Sequence, residues 1–274
     1  MRRDKRERLW AFTIWTLVGF FILNLIGVIA TVVVNSFGSR WFTTWLPVGW
    51  TTRWYTLAWD EFQLPAILLV TAEVVGAVVL LSALIGVPTA YAMARREFPG
   101  KRAAMLLFLL PLMVPPITYG IPLATVLYQA HLAGAISGVI LANLVPSVPF
   151  VILIMIPFVE QIDPRVEAAA RVFGAGMFRL FIQILVPLLA PGILAALMLV
   201  LVRTIAMFEL TFLTAGPNSQ TLVVALYYAV FAAGVRPGQS IDAMAVVYMV
   251  TTLAWLMVAL RFVNPSQIVT RAKR

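Results

Sequence analysis

The 274 residues include no cysteine and one histidine, His131. Without cysteine there is no disulfide framework, thiol nucleophile or thiolate metal site, and one histidine cannot build a histidine metal cluster. Charge is scarce as well: Asp, Glu, Lys and Arg make up 11% of the chain, with 20 basic against 11 acidic residues. A phosphate-cradling loop is also missing. The only Gly-Lys pair, Gly100-Lys101, is followed by Arg102 and has no glycine five residues earlier, so the chain is expected not to be an ATPase. An intramembrane enzyme would need a nucleophile with its base, paired carboxylates or a metal cluster, and none of these patterns is present.

What is abundant is apolar: 62% of the residues are hydrophobic, more than one soluble core of this size requires. This identifies an integral membrane protein. The net charge of +9 does not point to nucleic acid, because the basic residues lie in short segments between apolar runs rather than on one polar surface. A crossing helix needs roughly 20 apolar residues. Six runs qualify, at approximately 9–35, 65–94, 103–128, 135–158, 187–213 and 241–263. The first is too long for the apolar region of a signal peptide and is followed by no cleavage pattern, so it is expected to be retained.

Lys and Arg accumulate on cytoplasmic flanks. With the N-terminus inside, Arg2, Arg3, Lys5, Arg6, Arg8, Arg95, Arg96, Lys101, Arg102, Arg165, Arg171, Arg179, Arg261, Arg271, Lys273 and Arg274 are cytoplasmic, sixteen of the twenty. Arg40, Arg53 and Arg236 fall outside, and Arg203 lies within a span. The expectation is an all-α polytopic membrane protein with six transmembrane helices, N-in and C-in. It comprises a cytoplasmic tail at 1–8, a transmembrane domain at 9–263 containing a long cytoplasmic loop at 159–186, and a second tail at 264–274. Trp41, Trp45, Trp50, Trp54 and Trp59 crowd the first outer loop, where indole rings suit the headgroup zone.

The loop at 159–186 is longer than the 2–8 residues typical of helix connections. Asp163 is a good N-cap, Pro164 suits the first helical position, Glu167 lies near the positive helix end, and Gly174 is a natural terminator. A second short helix is expected from Met177, carrying Phe178, Phe181, Ile182 and Leu185 and ending at Pro187. Physical chemistry alone leaves two readings open: an amphipathic loop resting on lipid, or a segment held by another protein.

The stretch Glu167 to Pro187 resembles the cytoplasmic "EAA" loop of permease subunits in bacterial binding-protein-dependent ABC importers. Counting from Gly174, Ile184 and Pro187 fall in place and Val186 replaces a leucine, whereas Ala168, Ala169 and Ala170 occupy the triplet and Glu167 stands one position early. Further segments are similar to the spermidine/putrescine-type branch. They are Pro47 to Tyr55, Gly86 to Arg95 with Phe98-Pro99-Gly100-Lys101, Pro111, Pro115, Pro116 and Gly120, Pro149-Phe150, and Phe208-Glu209 with Thr214-Ala215-Gly216-Pro217.

The resemblance implies a type I ABC importer permease. Such a chain pairs with a second permease, homologous or identical, on two ATP-binding cassette ATPases and receives solute from a periplasmic binding protein. It carries no cofactor itself, since ATP and Mg belong to the ATPases, and it sits in the bacterial inner membrane. Asp163, Glu167, Ala168, Ala169, Ala170, Gly174 and Pro187 would couple it to the ATPase. Polyamines, opines or phosphonates are the implied solutes, with a carbohydrate as the alternative. A stand-alone channel or secondary transporter is the rival class; it would bring repeated halves or more intramembrane charge, and no internal repeat is visible.

Charges inside the spans need partners or a function. Glu73 and Arg203 lie at similar depth by residue count and are expected to pair. For Glu209, a structural role and a place on the solute pathway with Tyr227 or Tyr228 both stand open. Pro115 and Pro116 free backbone carbonyls, so the third span should break there, as a kink or as a solute contact. A short outer helix is expected between Asn218 and Gly234, and His131 is an outer-loop residue.

Overall fold

The structure is a computed structural model and describes residues 5–41, 44–231 and 236–262. Among these the regular elements are all helical. Two compact units emerge, one formed by residues 1–64 and 228–250, the other by 65–227 and 251–274. The tail read as 1–8 is helical from Lys5, and 264–274 lies outside the described residues.

In the first unit α1 (Lys5–Phe37) is apolar along its length, and none of its most apolar window is buried within the chain. Beyond it the backbone folds back: Ser39 N–H donates to Gly49 O at 2.8 Å and Thr51 N–H to Phe37 O at 2.7 Å. This places α2 (Arg53–Glu61) against the end of α1. Trp54 is buried there, donating its indole N–H to Gly38 O at 2.7 Å, while Trp45, Trp50 and Trp59 remain exposed. One of the five outer-loop tryptophans is therefore a structural pin rather than a headgroup ring. Helix α12 (Gly238–Phe262) begins in this unit, where Asn35 Nδ2 donates to Asp242 Oδ2 at 2.5 Å and Arg236 pairs with Glu61 at 2.8 Å.

The second unit is built on α3 (Leu64–Arg95), α4 (Lys101–Met113), α5 (Pro116–Gln129), α6 (Ile136–Glu160) and α7 (Pro164–Val172). After these come α8 (Met177–Arg179), a π-helical stretch (Leu180–Leu185), α9 (Val186–Ile205), α10 (Glu209–Thr214) and α11 (Leu222–Phe231), the last ending in the first unit. Its core runs through Val78, Val87, Ile152, Met155, Leu180, Leu185, Leu189 and Val200. Helices α4 and α5 bend by 103° at Val114 and Pro115. Each of these residues precedes a proline and is forced out of the helical region, to ψ 135° and 134°, so the tandem prolines break the third span as expected. Counting that pair as one, six apolar spans are present among the described residues.

Two expectations are corrected. The second loop helix does not end at Pro187: Met177–Ile205 is one continuous helical rod. Pro187 lacks the N–H that Gln183 O would accept from in an α-helix, and the chain accommodates this by widening to π-helix just upstream. The fifth span, in turn, stops at Ile205 rather than 213. Thr204 Oγ1 bonds back to Val200 O at 2.8 Å, a contact that bends helices. After Ala206–Phe208 the chain restarts as α10, whose Leu210, Thr211 and Thr214 are buried against α5 and α6.

Two junctions fix which loops share a side. Arg95 at the end of α3 reaches α7, and Gly134 N–H donates to Thr214 O at 2.8 Å with Ser219 Oγ donating to Gly134 O at 3.0 Å. Within the second unit the end of α3 thus lies beside α7, and the loop after α5 lies beside the end of α10.

Helices α6 and α9 approach closely at Gly192, where an added Cβ would stand 2.6 Å from the Phe158 ring. Gly192→Leu is therefore expected to destabilise the second unit by about 1–3 kcal/mol. Thermal unfolding in detergent checks this; an unchanged melting temperature would mean that the two helices separate freely.

Candidate functional site

Helix α7 is short, and both its ends are closed by local chemistry. At the start, Asp163 Oδ1 accepts the Arg165 N–H at 2.9 Å, and Pro164 occupies the first turn. At the end, Gly174 takes φ +80°, Gly174 N–H reaches Arg171 O at 2.9 Å and Ala175 N–H reaches Ala170 O at 3.0 Å. That pair of bonds is a Schellman motif, and its left-handed position is the one glycine fits.

Glu167 points inward and is buried, with 7% of its surface exposed. Its Oε2 accepts the Tyr91 hydroxyl at 2.6 Å and its Oε1 accepts Arg95 Nε–H at 2.8 Å. Arg95 also donates through Nη2 to Ile162 O at 2.5 Å, just ahead of α7. The Tyr91 ring meets Phe181 edge-on with centroids 5.8 Å apart, which ties the clasp to the π-helical stretch. A carboxylate engaged on both oxygens inside its own chain acts as an anchor. Tyr91 and Arg95, one turn apart on α3, complete this contact and are not among the site residues expected from the sequence. The i, i+4 spacing of a phenol and a guanidinium at a helix end was the available signal.

The outward side of α7 is different. Ala168 and Ala169 are exposed, as are Val166 at 39%, Val172 at 85% and Phe173 at 89%, while Ala170 is buried in the core. Val166, Ala169 and Phe173 form one exposed apolar stripe. Beside it opens a cavity of about 770 Å³, lined by Tyr91, Arg95, Arg96, Glu167, Ala168 and Arg171 among others. Pro187 is on the continuous rod beyond, so α7 is joined to α3 by side chains and to α9 by backbone.

Among the residues expected on a membrane pathway, Glu73 and Arg203 do not pair. Thr71 is buried and accepts the Leu222 N–H at 2.9 Å, and Glu73, two residues on, lies about 200° around α3 and is exposed. Arg203 lies over the Phe150 ring at 5.3 Å instead. Equal depth by residue count did not bring equal azimuth. Pro115 marks the break between α4 and α5, and Pro116 opens α5. Glu209 is the first residue of α10 and is half-buried. Next to Glu209, Phe208, Phe212 and Tyr227 form an aromatic cluster with centroids 4.9 to 5.3 Å apart. The expected outer helix is α11, and His131 is exposed.

Breaking a largely buried ion pair from one side leaves a charge without its partner, at a cost of about 3–5 kcal/mol. Glu167→Leu and Arg95→Met are each expected to raise amide exchange across residues 164–172 by at least about tenfold, corresponding to 1.4 kcal/mol or more. The double variant should recover part of the protection. Equal exchange in the wild type and both single variants would dismiss the clasp.

Comparison with known proteins gives a consistent picture. The family model described as "Binding-protein-dependent transport system inner membrane component" matches residues 82–268. The chain is 33% identical over 130 residues to the molybdate/tungstate transport system permease protein WtpB of Thermococcus kodakarensis, covering 47% of this chain and 52% of that protein. It is 30% identical over 186 residues to the molybdenum transport system permease protein ModB of Escherichia coli K12, covering 62% and 81%. The match thus spans about half of the Thermococcus relative. Among solved structures, a bacterial ABC transporter importing the acidic polysaccharide alginate aligns with TM-score 0.77 at 16% identity, over 96% of this chain and 100% of that one. A bacterial alginate ABC transporter in complex with an alginate pentasaccharide-bound periplasmic protein aligns with TM-score 0.68 at 15% identity, over 93% of each. At these identities the likeness concerns the fold. With the family model covering more than half of its length, the chain belongs to the binding-protein-dependent transport system inner membrane components, a family of transport subunits rather than enzymes.

Proposed function

We propose that this chain is the permease subunit of an ABC importer in the bacterial inner membrane. It forms half of a solute pathway with a second permease, homologous or identical, above two ATP-binding cassette ATPases, and takes solute from a periplasmic binding protein. The observation that carries this reading is the two-faced α7: an apolar stripe turned outward and a buried carboxylate clasped inward. The stripe of Val166, Ala169 and Phe173 fits a groove on an ATPase, where the small Ala168 and Ala169 allow close approach. Asp163 and Gly174 keep the helix short and rigid, so that it moves as one piece. Glu167 then acts as a positioning residue that hands this movement to α3 through Arg95, while the rod through Pro187 hands it to α9.

ATP and Mg act on the partner subunits. On the pathway, the 103° bend at Pro115 and Pro116 supplies backbone carbonyls without helical partners, and Glu209, Arg203, Tyr119 and Tyr227 supply polar groups beside an aromatic cluster. We assign these to contact with a small polar solute. The polyamine, opine or phosphonate type rests on sequence motifs; relatives named for molybdate and tungstate, and structural neighbours that carry alginate, extend the range to oxyanions and carbohydrates.

Ala169→Asp places a charge in the apolar stripe, and Gly174→Leu forces a bulky residue to φ +80° at about 1–2 kcal/mol. Both variants are expected to insert normally and to lose most solute uptake while ATP hydrolysis by the partner subunits persists, measured side by side in proteoliposomes. Wild-type uptake in both would sink the coupling role. Solute flux by this chain without any ATPase would replace the importer with a channel.

A further inference from the structure

Between the end of α3 and α7, the cavity of about 770 Å³ is lined by three arginines, Arg95, Arg96 and Arg171, and by one acid, Glu167. Arg95 is neutralised within the chain: its Nε–H meets Glu167 Oε1 at 2.8 Å, and the other carboxylate oxygen accepts the Tyr91 hydroxyl. Lys101, at the start of the next helix, is likewise paired, with Glu97 at 2.7 Å. Arg96 and Arg171 are exposed, and neither makes an ion pair among the described residues. The cavity thus brings together two guanidinium charges, one following α3 and one on α7, with no counter-charge of their own.

We infer that this cavity binds the phosphate of an anionic phospholipid between Arg96 and Arg171. Guanidinium forks match phosphate oxygens two at a time. Basic pockets at the cytoplasmic ends of spans, where the charge rule puts these arginines, take anionic headgroups. Three observations favour a lipid over other sources of an anion. The first is the level of the cavity. Arg95 closes α3 and Lys101 opens α4, so only 96–100 separate two apolar helices. Tyr91, one turn before Arg95, also lines the cavity and is buried in the apolar core, which puts the floor where a span ends and headgroups begin. The second is an adjoining apolar surface: from its second turn α4 exposes Leu106 (65%), Leu107 (63%) and Leu110 (53%), a face for acyl chains. The third is the direction of the opening. Pro164, Glu167, Ala168 and Arg171 line the cavity at helical spacing, and their flank lies about 180° around α7 from the stripe of Val166, Ala169 and Phe173. A protein partner seated on that stripe leaves the cavity open to lipid. The assignment requires only that the chain spans a membrane, and it stands with or without the importer reading.

The test is native mass spectrometry of the full chain in mild detergent, titrated with dioleoyl phosphatidylglycerol or with phosphatidylcholine of the same acyl chains. The wild type is expected to bind phosphatidylglycerol at least about tenfold more tightly. Arg96→Gln combined with Arg171→Gln should abolish that preference, and so should Ala168→Trp, which fills the cavity and leaves every charge in place. Arg102→Gln combined with Arg179→Gln removes two exposed basic residues outside the cavity and should keep it. Wild-type amide protection across 164–172 reports that the clasp of Glu167 survives in the variants. An unchanged preference in the Arg96 and Arg171 variant overturns the proposal. An equal loss in the Arg102 and Arg179 variant does so too, since it would reduce the effect to general attraction of basic residues. Displacement of phosphatidylglycerol by millimolar inorganic phosphate would make the source a soluble anion. Release of the lipid when the ATPases assemble on the chain would make the occupant an acidic side chain of a partner. Either result overturns the lipid site.

Discussion

A carboxylate with almost no contact to water sits between a phenol and a guanidinium where α3 ends. That contact fixes the inward face of α7 to α3. Glu167 is costly to bury and costly to leave alone, so it is stable only while Tyr91 and Arg95 stay in place. Such an arrangement adds little net stability compared with an apolar packing of the same shape, but it tolerates no slippage. For the coupling role proposed above, loss of freedom is the useful property. Apolar contacts alone would let α7 slide across the ends of the spans, whereas two short charge-assisted bonds and a third to Ile162 O define its position in every direction.

The same contact explains what the sequence made legible. Helix α7 was readable because its limits are local: Asp163-Pro164 and Gly174 set their own backbone angles with little help from elsewhere. The break at Pro115 and Pro116 was readable for the same reason. The partner of Glu167 was not, because Arg95 lies 72 residues away and only packing brings the two together. The pairing of Glu73 with Arg203 failed on the complementary ground: residue counts give depth along a helix, while the direction a side chain faces depends on which neighbour claims the other side. Thr71 made that choice for α3, and the Phe150 ring made it for Arg203. Nor did the run of apolar residues past Ile205 reveal the restart at Glu209, since composition is the same on both sides of it and the burial of Leu210 and Thr211 is tertiary.

The second unit concentrates its polar chemistry where α3 meets α7, and the informative residue there is the one acid that Tyr91 and Arg95 hold. Its spans offer aromatic rings, a proline break and isolated charges, the groups assigned above to contact with a solute.

The π-helical stretch from Leu180 to Leu185 carries a consequence of another kind. In a continuous rod each residue turns the helix by about 100°, and a π-turn amounts to one residue taken up without breaking it. Inserting a further residue between Gly174 and Pro187, beyond the one the π-turn already takes up, would rotate all of α9 by about 100° against its neighbours, turning the Gly192 contact and the face bearing Arg203 away from their partners. Substitutions in this stretch change only local packing, whereas a change in its length would re-aim a whole span. The connection from α7 to the membrane is thus constrained first in the number of its residues and only second in their identity.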